Sequence, residues 1–559
     1  MLRRDVLKTI GLAAGSVAIG PTVFAGDDDL SVAIALDGKE LLFTAAGGKD
    51  LGDYKSPHFV QRCIRADHPD SPLSVFFRPD RNSDRVEIVV ELGRMWGKAN
   101  AAAQHLGAYR AVIRKGSRVL ATVNVPKHWW FARWRWQSAP RPVIAKPADL
   151  IKAKLLPPYD ASAASRAEPP ESKADVAYKA PMDSAGLQVD VDATGERNEI
   201  GPVTEYQADY IITGRSSSLA ALRAQAEAHA SMPMHVRDEQ TGGPVDFFKY
   251  PKLDWYHGES GSPWVKGSES IRDENNDTTC EWRLSTSHDP ALSYLPFLLT
   301  GDPYHLEEMQ FQANRILGRT NYHRAETGLQ VVYPGQTRSY AWSMRTMFQL
   351  AAVTPEQTPS WLKPRAYWRR IVGDNLTWFT KNYVENPSPA CSLFAAATRI
   401  DDVAPWQEEF LAFCLGWGVM LGFEDWRKAF RWKLRSTLAR TDGKSGWPRQ
   451  WCTPYFMIVY KTEPEDSLYT GESPPGIWLK SWKEAWDVHR AEPKSKVVEP
   501  FPDKTSWAQH NSRHYLLYTR GVLALATHLG VAEAREPYAF VDNMAKAKKM
   551  DYKWAIAPG

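Results

Sequence analysis

Between Ser287 and Arg345 the chain gathers side chains that can move protons and hold a carboxylate. His288, His323 and Tyr340 can exchange protons. Asn321, Arg324, Arg338 and Arg345 can hydrogen-bond a carboxylate, and the arginines can also neutralise it. These types suit removal of a proton beside a carboxylate. An acid then protonates the leaving oxygen, and the cations absorb the developing charge. Arg338 and Arg345 are seven residues apart, so a helix that begins early sets them on one face with Tyr340 near by. Each residue also has an ordinary use, because a His or Tyr at a helix end often only satisfies a hydrogen bond.

A second chemistry needs two carboxyl groups across a scissile bond. Asp289 with Glu281 or Glu326 would supply them, whereas Asp302, Glu307 and Glu308 read as cap and first-turn charges. The polar loop 255–281 brings Trp255 and Trp264 as candidates to cover or line a cleft. Its acidic run Asp273–Asp277 fails as an EF-hand, since Thr278 stands where Gly is needed and Leu284 where Glu is needed. No cofactor is therefore expected, and only a calcium site of another kind stays open. There is no HExxH, no GxSxG and no glycine-rich turn opening a βαβ unit.

These residues need elements to hold them. The runs 291–299 and 304–317 carry helical apolar periodicity and are joined by Thr300-Gly301-Asp302-Pro303. Gly301 can end the first helix, Asp302 can cap the second, and Pro303 suits its first turn. The same helix–turn–helix shape recurs at 345–353 with 367–383, 408–421 with 424–438, and 515–529 with 535–546. Loops 444–451 and 507–514 mix Trp with Arg, His, Gln and Asn, and in a ring of hairpins would reach the same end.

Before the helices, residues 30–145 are β-prone, with runs such as 86–92 and 119–125 broken by Gly, Asp and Asn. Alternation from 129 to 136 sets Trp134 and Trp136 on one face and Arg133 and Arg135 on the other, as in a sandwich strand whose second face packs on a neighbouring domain. Residues 146–204 are rich in Pro, Ala and mixed charge and read as a linker or an arm across a domain surface. At 559 residues and a net charge of +4, the chain suits several domains and argues against nucleic acid as main partner. Its 23 Trp fit both helix packing and stacking on sugar rings. The five cysteines lack the spacing of a disulfide framework or a zinc site.

Arg3-Arg4, the Gly/Ala-rich run from Thr9 to Phe24 and the small residue Ala25 resemble a twin-arginine export signal over residues 1–25. That implies the twin-arginine translocase as a partner during export, a periplasmic or secreted location, and a mature protein with no stable membrane span. The expected layout is a β-sandwich over 26–145, the arm over 146–204, and helical hairpins over 205–559. About 350 residues at roughly 50–60 per hairpin would make about six.

With Thr286-Ser287-His288-Asp289-Pro290, Thr300-Gly301-Asp302 and the run Arg338–Arg345, this layout resembles the six-hairpin (α/α)6-toroid glycosidases and polysaccharide lyases. The β part precedes the helices here, whereas toroidal lyases usually place it after them. The resemblance implies a polysaccharide or oligosaccharide substrate. Of the activities it implies, β-elimination on an acidic polysaccharide fits the His/Tyr/Arg/Asn set, and hydrolysis by the carboxylate pair is the alternative. A non-catalytic glycan-binding or cell-envelope protein is the third reading. Fold alone does not decide among them.

Overall fold

The computed structural model describes residues 28–93, 105–165, 176–191, 197–238, 240–251, 280–320, 328–332, 336–385, 392–394, 403–459, 478–495, 497, 513–546 and 549–559. An antiparallel β part comes first and a helical part follows, as the sequence predicts. The strands are β1 (Leu30–Leu36), β2 (Lys39–Thr44), β3 (Lys49–Lys55), β4 (Val60–Asp67), β5 (Leu73–Pro79), β6 (Val86–Leu92), β7 (His105–Leu106), β8 (Tyr109–Lys115), β9 (Arg118–Val125), β10 (His128–Trp129) and β11 (Arg133–Gln137). They form a four-stranded sheet in the order β2-β1-β8-β9, a five-stranded sheet β11-β6-β5-β4-β3, and the small pair β10-β7.

Period-2 alternation explains how the two large sheets are used. Val32, Ile34 and Ile113 of the first share one core with Val75, Phe77, Ile88, Val90 and Trp134 of the second. The other face of the five-stranded sheet is buried as well. Phe76 and Val89 there join the core of the helical part. Between them stand Arg78, Glu87, Glu91, Arg133 and Arg135, a charged row that would normally face water.

Helix α1 (Pro147–Lys152) belongs to the arm. Leu150, Leu155, Leu156, Tyr159 and Ala163 bury the arm against the helical core, and Tyr159 bridges to Ile556 near the C-terminus. The remaining helices are α2 (Glu205–Thr213), α3 (Ser216–Ala228), α4 (Tyr294–Thr300), α5 (Pro303–Arg319), α6 (Thr337–Val353), α7 (Arg365–Phe379), α8 (Pro405–Met420), α9 (Arg427–Thr441), α10 (Trp482–Ala491), α11 (Arg513–His528) and α12 (Arg535–Ala545).

The α4–α5 turn is built as its sequence predicts. Gly301 takes φ 66° as the C-cap, Asp302 accepts from the Tyr304 amide, and Pro303 occupies the first turn. Every residue of α6 is buried, which marks a central helix rather than an amphipathic surface one. Trp342 meets Phe410 and Phe410 meets Tyr518, while further along Phe348 lies against Gly418 and Leu525 against Gly416. Advancing along α6, α8 and α11 together in this way means that the three run parallel. The next helix returns outside: Glu409 reaches Thr437 and Arg440 while Gly416 faces Phe430, so α9 runs antiparallel to α8. Helices α7 and α12 likewise pack on α6 and α11.

The close approach of α6 and α8 rests on Gly418. A Cβ there would fall 2.7 Å from the Phe348 ring. Gly418→Ala would gain up to about 1 kcal/mol of helix propensity, against about 1–3 kcal/mol for overpacking. We expect net destabilisation by about 1 kcal/mol or more, measured by urea unfolding, and a stabilised variant would contradict this packing.

Candidate functional site

The parallel run of α6, α8 and α11 brings three helix N-termini to one end of the array. Thr337 donates to Glu408 at 2.9 Å, and the Arg338 amide donates to the Gln407 side chain at 3.2 Å. The Arg338 guanidinium is held by Gln336 and lies 5.3 Å above the Trp406 ring. Trp406 stacks on Tyr515 at 5.8 Å, and Tyr455 lies 6.5 Å from Trp406 and 6.1 Å from Tyr515. Tyr455 is 64% exposed, the most exposed of the large hydrophobic side chains among the described residues. One cation, itself 9% exposed, three aromatic rings and the positive ends of three helix dipoles therefore converge at this end, with Tyr455 reaching solvent. Sequence reading singled out Arg338 but missed Trp406, Tyr455 and Tyr515. They come from separate stretches, and the only local signal was an aromatic at the start of a helix.

Beneath this end, Glu408 binds Lys433 at 2.6 Å and also accepts from the Phe394 amide at 3.1 Å. Lys433 in turn donates to the Ser392 carbonyl at 2.7 Å. These contacts pin residues 392–394 against α6. Phe394 stacks on Tyr340 at 4.7 Å, with Phe379, Trp378 and Tyr383 completing an aromatic box. Tyr340 is fully buried, and its hydroxyl has no hydrogen-bond partner among the described residues. Desolvation, with a smaller contribution from Tyr383, raises its pKa well above the usual phenol value, so the group stays protonated. Sealed inside the aromatic box, the hydroxyl is a poor acid with no route to a substrate in this structure.

The other predicted residues have different surroundings. His288 is buried in the irregular segment 286–293. A buried segment without regular structure needs partners for its backbone. Side chains supply them: Arg345 donates to the Asp289 carbonyl at 2.6 Å, Gln312 to Pro290 at 2.9 Å, and Gln207 to Ala291 at 2.8 Å and Leu292 at 3.1 Å. Thr286 meets Ser339 at 2.7 Å, tying this segment to the first turn of α6. Arg345 also donates to the Gly201 carbonyl and is 1% exposed, with burial drawing its pKa down to about 10. Its donors are thus turned to the protein's own backbone, and the expected common face of Arg338, Tyr340 and Arg345 is split among three environments.

Asp289 lies 3.3 Å from Arg315, and burial pushes its carboxyl above the usual range against the pull of Arg315, Arg345, Arg319 and Arg197. Its charged neighbours are arginines, and Glu281 is exposed. His323, Asn321, Arg324, Trp255, Trp264 and Glu326 lie outside the described residues. Of the two later loops, 444–451 is packing: Trp447 is buried against Trp482, Trp486 and His489. Residues 507–512 of the other lie outside the described residues.

The charged row on the five-stranded sheet meets α5. Glu307 accepts from Arg78 at 2.7 Å, from Arg237 at 2.9 Å and from Arg133. Glu308 accepts from Arg133 at 2.6 Å and faces the His235 ring at 2.8 Å. Arg237 also binds Glu91 at 2.6 and 2.9 Å. All of these groups are buried. Burial alone would raise the two glutamates, but the surrounding arginines win and hold both far below the usual carboxylate range. Glu307 and Glu308 are therefore not first-turn charges but the counter-ions of the β part. With every hydrogen-bonding group turned inward, this cluster joins the two parts of the molecule and is not a reactive site.

No group of three His, Cys, Asp or Glu able to hold a metal occurs among the described residues, and no helix among them is long and apolar enough to cross a membrane. Compared with protein-family models, curated proteins and solved structures, the chain matches none.

Proposed function

We propose that the protein is an exported enzyme that cleaves an acidic polysaccharide by β-elimination, its helical hairpins closing into a six-hairpin (α/α) ring. The observation that carries this reading is Arg338 over Trp406 beside exposed Tyr455, at the convergent ends of α6, α8 and α11. Tyrosine and tryptophan faces stack on sugar rings, while an arginine and positive helix ends favour a uronate carboxylate. In the elimination, a base takes the proton beside the carboxylate and the bond to the glycosidic oxygen breaks. An acid protonates that oxygen, leaving a carbon–carbon double bond conjugated with the carboxylate. His323 is assigned as base by residue type, while Tyr340, sealed in its aromatic box, is not assigned as the acid. The twin-arginine export reading rests on Arg3-Arg4 and the run after them.

Arg338→Ala should lower kcat/KM on an acidic polymer by about tenfold to a hundredfold, the effect of removing one charged partner of the substrate. Arg338→Lys should recover part of it. Tyr455→Ala should raise KM by roughly tenfold through lost stacking, with a smaller change in kcat. Wild-type kinetics in both Arg338→Ala and Tyr455→Ala would remove this end of the array as the substrate site.

A further inference from the structure

Three of the four large sheet faces in the β part are covered. The two sheets share a core, and the far side of the five-stranded sheet meets the helical part. The outer side of the four-stranded sheet is the fourth. Val32, Ile34, Ala111 and Ile113 point into the core, so the alternate residues of β1 and β8 point outward. By register, Leu42, Ala33, Val112 and Thr122 form one outward row across the four strands. Glu40, Ala35, Arg110 and Asn124 form the next row, and Arg114 stands beside Ser31 on the opposite side. Ala35, Glu40, Leu42, Arg110, Thr122 and Asn124 are all exposed, Leu42 to 56%.

The cations of the β8–β9 hairpin distinguish this face. Arg110, Arg114, Lys115 and Arg118 have no carboxylate within ion-pair distance among the described residues. The nearest carboxylates by register are Glu40 and Asp29. Glu40 is two strands from Arg110, roughly 10 Å, and Asp29 meets the hairpin through its carbonyl, which takes the Gly116 amide. Elsewhere in the β part arginines are matched, Arg62 by Asp50, Arg81 by Asp53 and Arg78 by Glu307. Arg110 and Arg114 share one face of one strand roughly 13 Å apart, and Arg118 extends the line past the turn. Val112 lies between the two arginines. A line of unmatched positive charge along an open sheet suits a linear polyanion. A second copy of the chain would bring like charges together on this face.

We propose that the outer face of the four-stranded sheet binds an anionic polysaccharide chain running along β8, its carboxylates on Arg110, Arg114 and Arg118 and the apolar faces of its rings on Val112 and Leu42. The choice of a polysaccharide among polyanions rests on the acidic-polymer reading of the helix end. Bound here, a long polymer is tethered to the protein, which raises its effective concentration at that end.

The test is affinity electrophoresis of the full chain through gels holding polygalacturonate or alginate, with dextran as the neutral control. Arg338→Ala serves as the background, so that the helix end contributes little. Retardation by at least one acidic polymer should persist in that background. Adding Arg110→Gln and Arg114→Gln should weaken it by about tenfold, the effect of two exposed charge pairs, and about 0.5 M salt should do the same. Circular dichroism checks that the variants stay folded. With Arg338 intact, Arg110→Gln with Arg114→Gln should leave kcat/KM on a short acidic oligosaccharide unchanged, whereas Arg338→Ala should lower it. No cleavage by any form, with retardation still lost only when Arg110 and Arg114 change, would sink the helix-end reading and uphold this face. Undiminished retardation in the Arg110→Gln, Arg114→Gln form would overturn the proposal. So would equal retardation by dextran, or binding to phosphatidylglycerol vesicles with no retardation by either acidic polymer.

Discussion

Glu307→Gln should destabilise the protein by about 3–5 kcal/mol, the cost typical of removing one partner from a buried ion pair. The size follows from what is left behind. Arg78, Arg133 and Arg237 all point at Glu307, and none can reach water. The amide that replaces the carboxylate keeps the shape and removes the charge, so the guanidinium groups repel one another in a poorly polarisable interior. Urea unfolding followed by Trp fluorescence would measure it. A loss below about 1 kcal/mol would mean that the cluster is hydrated and that the two parts are joined mainly by apolar contacts such as Phe76 and Val89. The network is also expected to be poor value as a stabiliser. Replacing the whole cluster by well-packed apolar residues should cost far less than the single change, because the desolvation of the charges disappears with them.

The second large effect is acid lability. His128, His229 and His305 are buried, and burial lowers their pKa values to about 4, about 4 and about 3. His128 Nε2 donates to the Ala132 carbonyl at 2.9 Å, and its Nδ1 lies 2.8 Å from the Tyr109 hydroxyl. The unfolded chain protonates these histidines below about pH 6.5, while the folded chain resists. The unfolded state then binds more protons, so stability falls as pH falls from 6.5 toward 4, by about 1.4 kcal/mol per pH unit for each histidine. Three together would remove on the order of 6 kcal/mol by pH 5, comparable with the whole stability of an ordinary domain. Glu307 and Glu308 add to this in the same direction below their unfolded value of about 4.5, because their folded values are depressed. Melting temperatures taken from pH 8 to pH 4 should be flat above about 7 and fall steeply below 6.5. His305→Leu should flatten the profile by one histidine's share. A profile level down to pH 5 would contradict the buried neutral histidines.

Much of the layout was legible in the chain. Strands came first and helices second because period-2 and helical apolar spacing separate cleanly at about residue 200. The turn Thr300-Gly301-Asp302-Pro303 was readable to the atom, since a left-handed cap, an N-cap and an N1 proline are each local requirements. The hairpins 408–421 with 424–438 and 515–529 with 535–546 were readable from helical apolar periodicity and the turn glycines Gly422 and Gly530, which take φ 96° and 80°. The proposed closure of those hairpins into a ring would depend on contacts between distant segments, which no local signal carries.

The charges were misread because their meaning is tertiary. The Arg133 and Arg135 face reads as one that packs on a neighbouring domain, and it does, but Glu307 and Glu308 look like helix-start charges. Only the meeting of β5, β6 and β11 with α5 turns both into one buried network. Arg345 was misread for a related reason. Side chains able to hold a substrate carboxylate are equally able to hold backbone carbonyls of a buried irregular segment, and 286–293 needs several. The aromatic group at Trp406, Tyr455 and Tyr515 was invisible because its members are assembled from three stretches by the parallel packing of α8 and α11.

The most direct measurement of the central claim is a product assay. Protein lacking residues 1–25 is incubated with acidic and neutral polysaccharides while reducing ends and ultraviolet absorbance are followed together. Elimination predicts that reducing ends rise in step with the absorbance of a new conjugated double bond, on acidic polymers alone, and that both signals collapse in Arg338→Ala. Reducing ends without that absorbance would contradict elimination and turn attention to a carboxylate pair. Binding to acidic polymers without any new reducing end would mean that the aromatic and arginine end holds glycans and does not cut them.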